Sequence, residues 1–371
     1  MRSLTSALYH LYCHGHRSLN LTISYVIRMQ FPNPVKGRAV WTAADLAMDS
    51  NWIHTLDPAE CEEVTGAAKA VLAKGHDPES FDRADFPLRG LSAVLSALGE
   101  ELHIGRGCVL IRGLPVEDYS DAEQRAAYWG IAAHFGDAVS QNAKGQRLAA
   151  VIDHGNDISR GNTRGYTTNA ALYPHSDMCQ MTGLLCVRPA ASGGESQVAS
   201  SLAIYNRIRE TKPEYLEVLF RGFHHDLRGE GPRACIDEVT DHRVPVFSEC
   251  EGWLSCGFNP KISINGEKKR GTPVSEADVK ALDYVSEVAS QPVLSYEMTL
   301  QAGDIQIVNN HAVLHSRNEF TDSDDPAKRR KLFRLWLNPH LQRPLQRDFA
   351  NRYNTGPNGG VAIGDAAEYV F

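Results

Sequence analysis

Gly303-Asp304-Ile305-Gln306-Ile307-Val308-Asn309-Asn310 leads into Leu314-His315-Ser316-Arg317, and Arg330-Lys331-Leu332-Phe333-Arg334-Leu335-Trp336-Leu337 follows a polar interruption. Both apolar runs read as strands bounded by turn formers. Side chains alternate along a strand, so positions 330, 332, 334 and 336 share one face and 331, 333, 335 and 337 the other. Arg330 and Arg334 therefore point the same way. Two inward guanidinium groups are expensive in an apolar core unless anions meet them. The ordinary alternative for such a pair is a set of surface cations on an edge strand.

Upstream, His175-Ser176-Asp177 has the same period. On an extended segment, its imidazole and carboxylate project from one face. Together with His315 they supply two imidazoles and one carboxylate, the facial triad of non-haem Fe(II) oxygenases, which leaves coordination positions open. A 2-oxo acid can fill two of them and dioxygen the third. H-x-D alone arises by chance in many chains. Here it comes with a second His behind a Gly-Asp strand and an Arg pair on one strand face.

Other polar clusters carry less. Asp153, His154 and Asp157 suit turn hydrogen bonds. His224 and His225 are adjacent, and neighbouring strand residues face opposite ways, which opposes a shared ion. His311 lies four before His315, a helical metal spacing, but Asn309-Asn310 favours a loop. Ser140-Gln141-Asn142 and Arg164-Gly165-Tyr166 read as polar loops. Cys179, two residues past Asp177, reads as a small buried hydrophobe.

The rest of the chain alternates helix and strand. Asp57-Pro58-Ala59-Glu60 and Ser120-Asp121-Ala122-Glu123 are capping boxes that start helices. The first ends at Gly75, and the second is expected to run to Gly136. A helix is expected around Leu91–Leu102 and another within Ser275–Val288. Cys108–Arg112, Leu148–Ile152, Gly183–Val187, Ser196–Ser201, Val244–Phe247, Trp253–Phe258 and Leu294–Leu300 read as strands. Helices are expected to cluster mainly at the front. No repeat or linker divides the β-rich part, so the expectation is one α+β domain over 36–371. Residues 1–35 hold no Asp or Glu, and they are expected to form a poorly ordered extension.

The chain has 371 residues, 42% hydrophobic and 22% charged, an ordinary globular balance. The net charge of -7 and the absence of a basic run argue against nucleic acid as partner. No apolar stretch approaches the ~18 residues of a membrane span. The eight cysteines include no C-x-x-C pair, which suits free thiols and a cytoplasmic location. A small molecule is the expected partner. A homo-oligomer is compatible with the sequence, which is silent on the point.

The chain resembles the taurine dioxygenase-like (TauD/TfdA) branch of Fe(II)/2-oxoglutarate-dependent dioxygenases. The resemblance rests on Tyr173-Pro174-His175-Ser176-Asp177, Ser192-Gly193-Gly194-Glu195-Ser196, Gly303-Asp304 with Asn309-Asn310, Leu314-His315-Ser316-Arg317 and Arg330 through Leu337. It covers about residues 38 to 345. It implies a double-stranded β-helix (jelly-roll) core with flanking helices, with His175, Asp177 and His315 as ligands of Fe(II). It implies Arg330 as partner of the distal carboxylate of 2-oxoglutarate, helped by the Ser196 hydroxyl. It implies Arg334 as the contact for an anionic substrate group. The implied reaction converts 2-oxoglutarate and O2 to succinate and CO2 while a substrate is oxidised, by default hydroxylated. Desaturation, cyclisation, epimerisation and a non-catalytic binding barrel are the alternatives. The polar stretch Thr321–Pro326 leaves Arg329 as the rival of Arg330 by one register step.

Overall fold

The computed structural model describes residues 31–156 and 165–364, and the described residues from Pro32 onward form one compact unit. Most of the expected N-terminal extension, together with Cys13, Asp157 and Arg164, lies outside the described residues.

Two β-sheets carry the site. The larger runs in the order Ile53–Thr55, Cys108–Arg112, Ile305–Asn309, Met181–Arg188, Lys331–Pro339 and Gly136–Val139, with Leu148–Val151 also paired to Lys331–Pro339. The smaller runs Ser295–Met298, Ser196–Ser200, Val313–Arg317 and Leu172–His175, with antiparallel pairing throughout. The chain crosses from one sheet to the other repeatedly: Leu172–His175 to Met181–Arg188 to Ser196–Ser200, and later Ile305–Asn309 to Val313–Arg317 to Lys331–Pro339.

Strand alternation divides the larger sheet into two environments. Gly183, Leu185, Ile305, Ile307, Phe333, Leu335 and Leu337 have the outward parity. All but Gly183, which lacks a side chain, join a core with Val64, Val71, Leu95, Leu98, Leu102 and Ile131 from the helices Pro58–Ala73, Ser92–His103 and Asp121–Ala132. Thr182, Leu184, Gln306, Val308, Leu332 and Arg334 have the opposite parity and line a cavity shared with the smaller sheet. Gly303 sets the entry to Ile305–Asn309: its φ is +85°, and an added Cβ would lie 2.0 Å from the Leu114 carbonyl oxygen.

The helix starts follow from side-chain chemistry. Asp57 and Ser120 each cap the amide three residues on, and Glu60 and Glu123 reach back to close the boxes. Three sequence expectations are corrected. The helix from Asp121 ends at Ala132 rather than Gly136, because Gly136 pairs with Pro339, where a Cβ would lie 2.3 Å from the Asn338 carbonyl. The strand expected at Val244–Phe247 is instead Phe247–Cys250, with Val244 making only an isolated bridge to Phe223. Helices do not cluster at the front: Ser201–Thr211 and Pro260–Lys269 lie mid-chain, capped by Ser200 and by Asn259 with Pro260 in the first turn. Among the described residues no helix is long and apolar enough to cross a membrane.

The closing segment is tied in by burial. Phe349 and Tyr353 are fully buried, and Arg352 lies between them near His225 and His311. Burial, with Arg352 adding to it, pushes the His225 imidazole down to about 3. Its folded value is thus below the ordinary one near 6.5. Its contribution to stability is therefore fully present above about pH 6.5 and is lost as pH falls from there toward about 3.

Two outcomes follow from this packing. Phe333→Ala should cost about 3–5 kcal/mol in a urea titration, because Phe333 is fully buried under the helices. A cost near that of a surface change would contradict the assigned parity. His225→Met should flatten the fall in melting temperature between about pH 7 and about pH 5. An unchanged acid slope would show that His225 is not held neutral.

Candidate active site

The two histidines meet because of ladder register. His175 and His315 are directly opposite on adjacent antiparallel strands, and their rings lie 4.4 Å apart between centroids. The His175 Nδ1–H donates to the Tyr173 carbonyl at 2.8 Å, which fixes the tautomer and leaves Nε2 free. Asp177 follows where the strand ends. His315 Nε2 lies 4.0 Å from Asp177 Oδ2. One donor atom from each of His175, Asp177 and His315 falls within a mutual distance of 4.8 Å, all three residues half-buried. Among the described residues this is the one such group of His, Cys, Asp or Glu side chains.

Asp177 is held from several directions. Thr182 and Trp336 are register partners in the larger sheet, and both donate to Oδ2, from Oγ1 at 2.8 Å and Nε1 at 3.0 Å. The Asp177 amide donates to Asn310 Oδ1 at 3.1 Å. Asn310 Nδ2 donates in turn to Thr182 Oγ1 at 3.0 Å. Burial opposes the charge, but Arg334, His315, His175 and the Thr182 bond outweigh it and hold the carboxyl well below the usual range. Burial and the neighbouring His175 push His315 down to about 3, against the pull of Asp177. An ionised carboxylate beside a neutral imidazole is the protonation state a divalent metal needs. The hard-to-intermediate donor set suits iron in an octahedral site with open positions.

The cavity continues from the histidines to a second polar end. Ser196 pairs with Arg317 two ladder positions from the Val198–His315 pair, so both side chains share the inner face with His315. Arg330 and Arg317 are buried, and each guanidinium lies over the Phe320 ring, at 4.9 and 4.8 Å. Arg317 donates to the carbonyls of Thr168 (2.8 Å) and Ala170, and its Nε has no partner among the described residues. No ion pair to Arg317 or Arg330 is formed among the described residues; burial lowers both, and burial with Arg330 nearby pushes Arg317 down to about 9. Two buried cations in one cavity make a receptor for an anion.

The structure thus brings together His175, Asp177, His315, Ser196, Arg330 and Arg334 on one cavity. Arg330 lies inside; Arg329 is outside on the surface, its Nε toward the Ser323 carbonyl. Ser196 Oγ donates to Gln306 Oε1 at 2.8 Å, so its hydroxyl is engaged by a neighbour on the facing sheet. Arg334 Nε donates to Gln141 Oε1 at 2.7 Å, its guanidinium stacks over Tyr166 at 4.5 Å, and Nη1 lies 3.8 Å from Asp177 Oδ2. Sequence reasoning missed Arg317, Gln306, Thr182 and Trp336. Parity could have found Trp336 along 330–336 and Arg317 two residues past His315, whereas Gln306 and Thr182 depend on register. It read Gln141 and Tyr166 as polar loop residues, with substrate contact as the lesser alternative.

The remaining candidates fall elsewhere. Asp153 Oδ1 accepts the Gly155 amide at 2.8 Å in a turn. His224 is engaged by Glu267 and does not share an ion with His225. Cys179 is a buried thiol raised by burial and by Asp177, which suits an inert filler. The seven described cysteines are all free.

Comparison with known proteins places this architecture. Residues 73–336 match the family described as "Taurine catabolism dioxygenase TauD, TfdA family". The chain is 34% identical over 309 residues to FR-33289 synthase of Streptomyces rubellomurinus, covering 82% of this chain and 90% of that one. It is 28% identical over 335 residues to the taurine hydroxylase-like protein SAT17 of Stachybotrys chartarum, covering 86% and 85%. The fold is similar to asparagine oxygenase solved with Fe(II), 2S,3S-3-hydroxyasparagine and succinate, with TM-score 0.61, 16% identity, and 77% and 93% coverage. It is also similar to the non-heme iron oxygenase OrfP solved with Fe and alpha-ketoglutaric acid, with TM-score 0.56, 14% identity, and 84% and 100% coverage. The chain belongs to the TauD/TfdA family and is an Fe(II)/2-oxoglutarate-dependent dioxygenase that acts on a small molecule.

Proposed function

We propose that this enzyme hydroxylates a small anionic molecule at a metal held by His175, Asp177 and His315, with 2-oxoglutarate anchored by Arg330. The observation that carries the reading is the pair of buried guanidinium groups, Arg317 and Arg330, in the same cavity as the His–Asp–His cluster. A dicarboxylate that reaches the metal with its 2-oxo acid end presents its far carboxylate to such cations. Arg330 supplies the charge, and Arg317 adds a second, held in place by main-chain carbonyls. The Ser196 hydroxyl and Gln306 amide line the same end. When bound, iron supplies dioxygen activation; the side chains around it bind, orient and exclude water.

Arg334 is the substrate residue in this reading. Gln141 and Tyr166 fix its guanidinium beside Asp177. With a metal held there, Asp177 would share its charge with it, and Arg334 would pair with an anionic substrate group. Leu172, Leu184, Val151 and Tyr166 give the cavity apolar walls for the carbon skeleton. Hydroxylation agrees with the names of the structural relatives, two of which hold hydroxylated amino acids.

The alternating passage of the chain between two facing sheets supports a double-stranded β-helix core, with 36–371 acting as one catalytic domain. The free thiols support a cytoplasmic setting.

Purified protein with Fe(II), 2-oxoglutarate and O2 should release succinate in response to a small carboxylate, sulfonate or other anionic substrate. His175→Ala and Asp177→Ala should abolish that release, and full turnover by either would contradict the ligand assignment. Arg330→Met should weaken 2-oxoglutarate binding by about 1.5–3 kcal/mol, measured by anaerobic calorimetry. Unchanged affinity would remove Arg330 from the cosubstrate site.

A further inference from the structure

The Asp177 turn is gripped from a segment that the family match does not reach. Arg352 lies beyond the matched residues, which end at 336. It is 5% exposed and stays outside the lining of the active-site cavity. Its Nη1 donates to the Asp177 carbonyl at 3.2 Å, its Nη2 to His311 Nδ1 at 3.2 Å, and its Nε to the Phe349 carbonyl at 3.4 Å. The guanidinium lies over the Phe349 ring at 4.7 Å. Arginine only donates, so His311 Nδ1 accepts, and burial keeps that imidazole neutral, well below its ordinary value. No carboxylate pairs with Arg352 among the described residues, and burial works against its charge.

A buried cation without a counter-ion is a costly way to fill space. One of these bonds reaches the Asp177 turn and a second reaches the loop that holds its amide. Arg352 fixes the Asp177 carbonyl, Asn310 fixes its amide, and Thr182 and Trp336 fix its carboxylate. Arg352 also holds His311, the residue next to Asn310. Its neighbour Tyr353 packs near Trp336, with ring centroids 6.5 Å apart. The surroundings leave room for the guanidinium and little more: a Cβ on Gly257 would lie 2.9 Å from Nη2.

We propose that Arg352 is a positioning residue for the metal centre: it holds the backbone of the Asp177 turn, so the C-terminal segment helps set the carboxylate geometry. The inference rests on the reading of His175, Asp177 and His315 as metal ligands.

The test titrates full-length, metal-free wild type, R352K, R352M and D177A with Mn(II) alone by electron paramagnetic resonance and with Co(II) alone by visible absorption. D177A should lose the metal. R352M should bind Mn(II) roughly tenfold more weakly, the scale at which outer contacts to metal ligands act, and should shift the Co(II) bands at saturation. R352K, which keeps one donor nitrogen and the charge, should fall between wild type and R352M. Wild-type affinity and an unshifted Co(II) spectrum in R352M, even with a lowered melting temperature, would overturn the inference, because a stability role alone predicts that result. If R352M does not fold, wild-type affinity in R352K overturns it equally. Wild type binding no better than D177A would instead sink the ligand reading and this inference with it.

Discussion

The Asp177 carboxylate is the point on which the site depends. It is an ionised group beside the paired imidazoles of His175 and His315, and each of its polar groups is fixed by a different part of the chain. Its charged oxygen takes two hydrogen bonds from register partners in the larger sheet, Thr182 and Trp336. Its amide is held by Asn310 in the loop that joins the sheets, and its carbonyl by Arg352 near the end of the chain. The histidines need less support, because ladder pairing already sets them face to face. The carboxylate sits past the end of its strand, so without these bonds nothing would fix its direction.

The cations answer to the same logic. Arg334 neighbours Asp177 and is clamped by Gln141 and Tyr166, while Arg317 and Arg330 share the far end across Phe320. One end of the cavity thus balances its charge internally, and at the other Arg317 and Arg330 form no ion pair among the described residues, with Asp153 and Asp322 the acids whose charge reaches them. That asymmetry gives the cavity a direction: in the proposed reading the metal would sit at the Asp177 end and the anion would meet Arg317 and Arg330 at the other. Leu184, Val308 and Leu332 add apolar lining to the same cavity.

Much of this was legible in the sequence because strand parity is strict. The period of two along 330–336 put both arginines on one face; at 175–177 the strand ends at His175, so hydrogen bonds rather than parity aim Asp177. Capping chemistry located the helices at Asp57 and Ser120. What parity does not give is register. That Thr182 lies opposite Trp336, or Ser196 opposite Arg317, depends on how distant strands slide against one another, and no single segment encodes it. The helices Ser201–Thr211 and Pro260–Lys269 were missed although Ser200 and Asn259-Pro260 are ordinary start signals, because the surrounding segments read as strands. Arg352 was beyond reach for a simpler reason: its role lies wholly in tertiary contact, 175 residues along the chain from Asp177.

The central claim is that one cavity holds iron at the His175–Asp177–His315 end and the 2-oxo acid across it. The most direct measurement is the visible spectrum of the protein mixed anaerobically with Fe(II) and then 2-oxoglutarate. A metal-to-ligand charge-transfer band should appear only when both are present, and it should be absent in His315→Ala. Tight Zn(II) binding with no such band at saturating Fe(II) and 2-oxoglutarate would contradict the account.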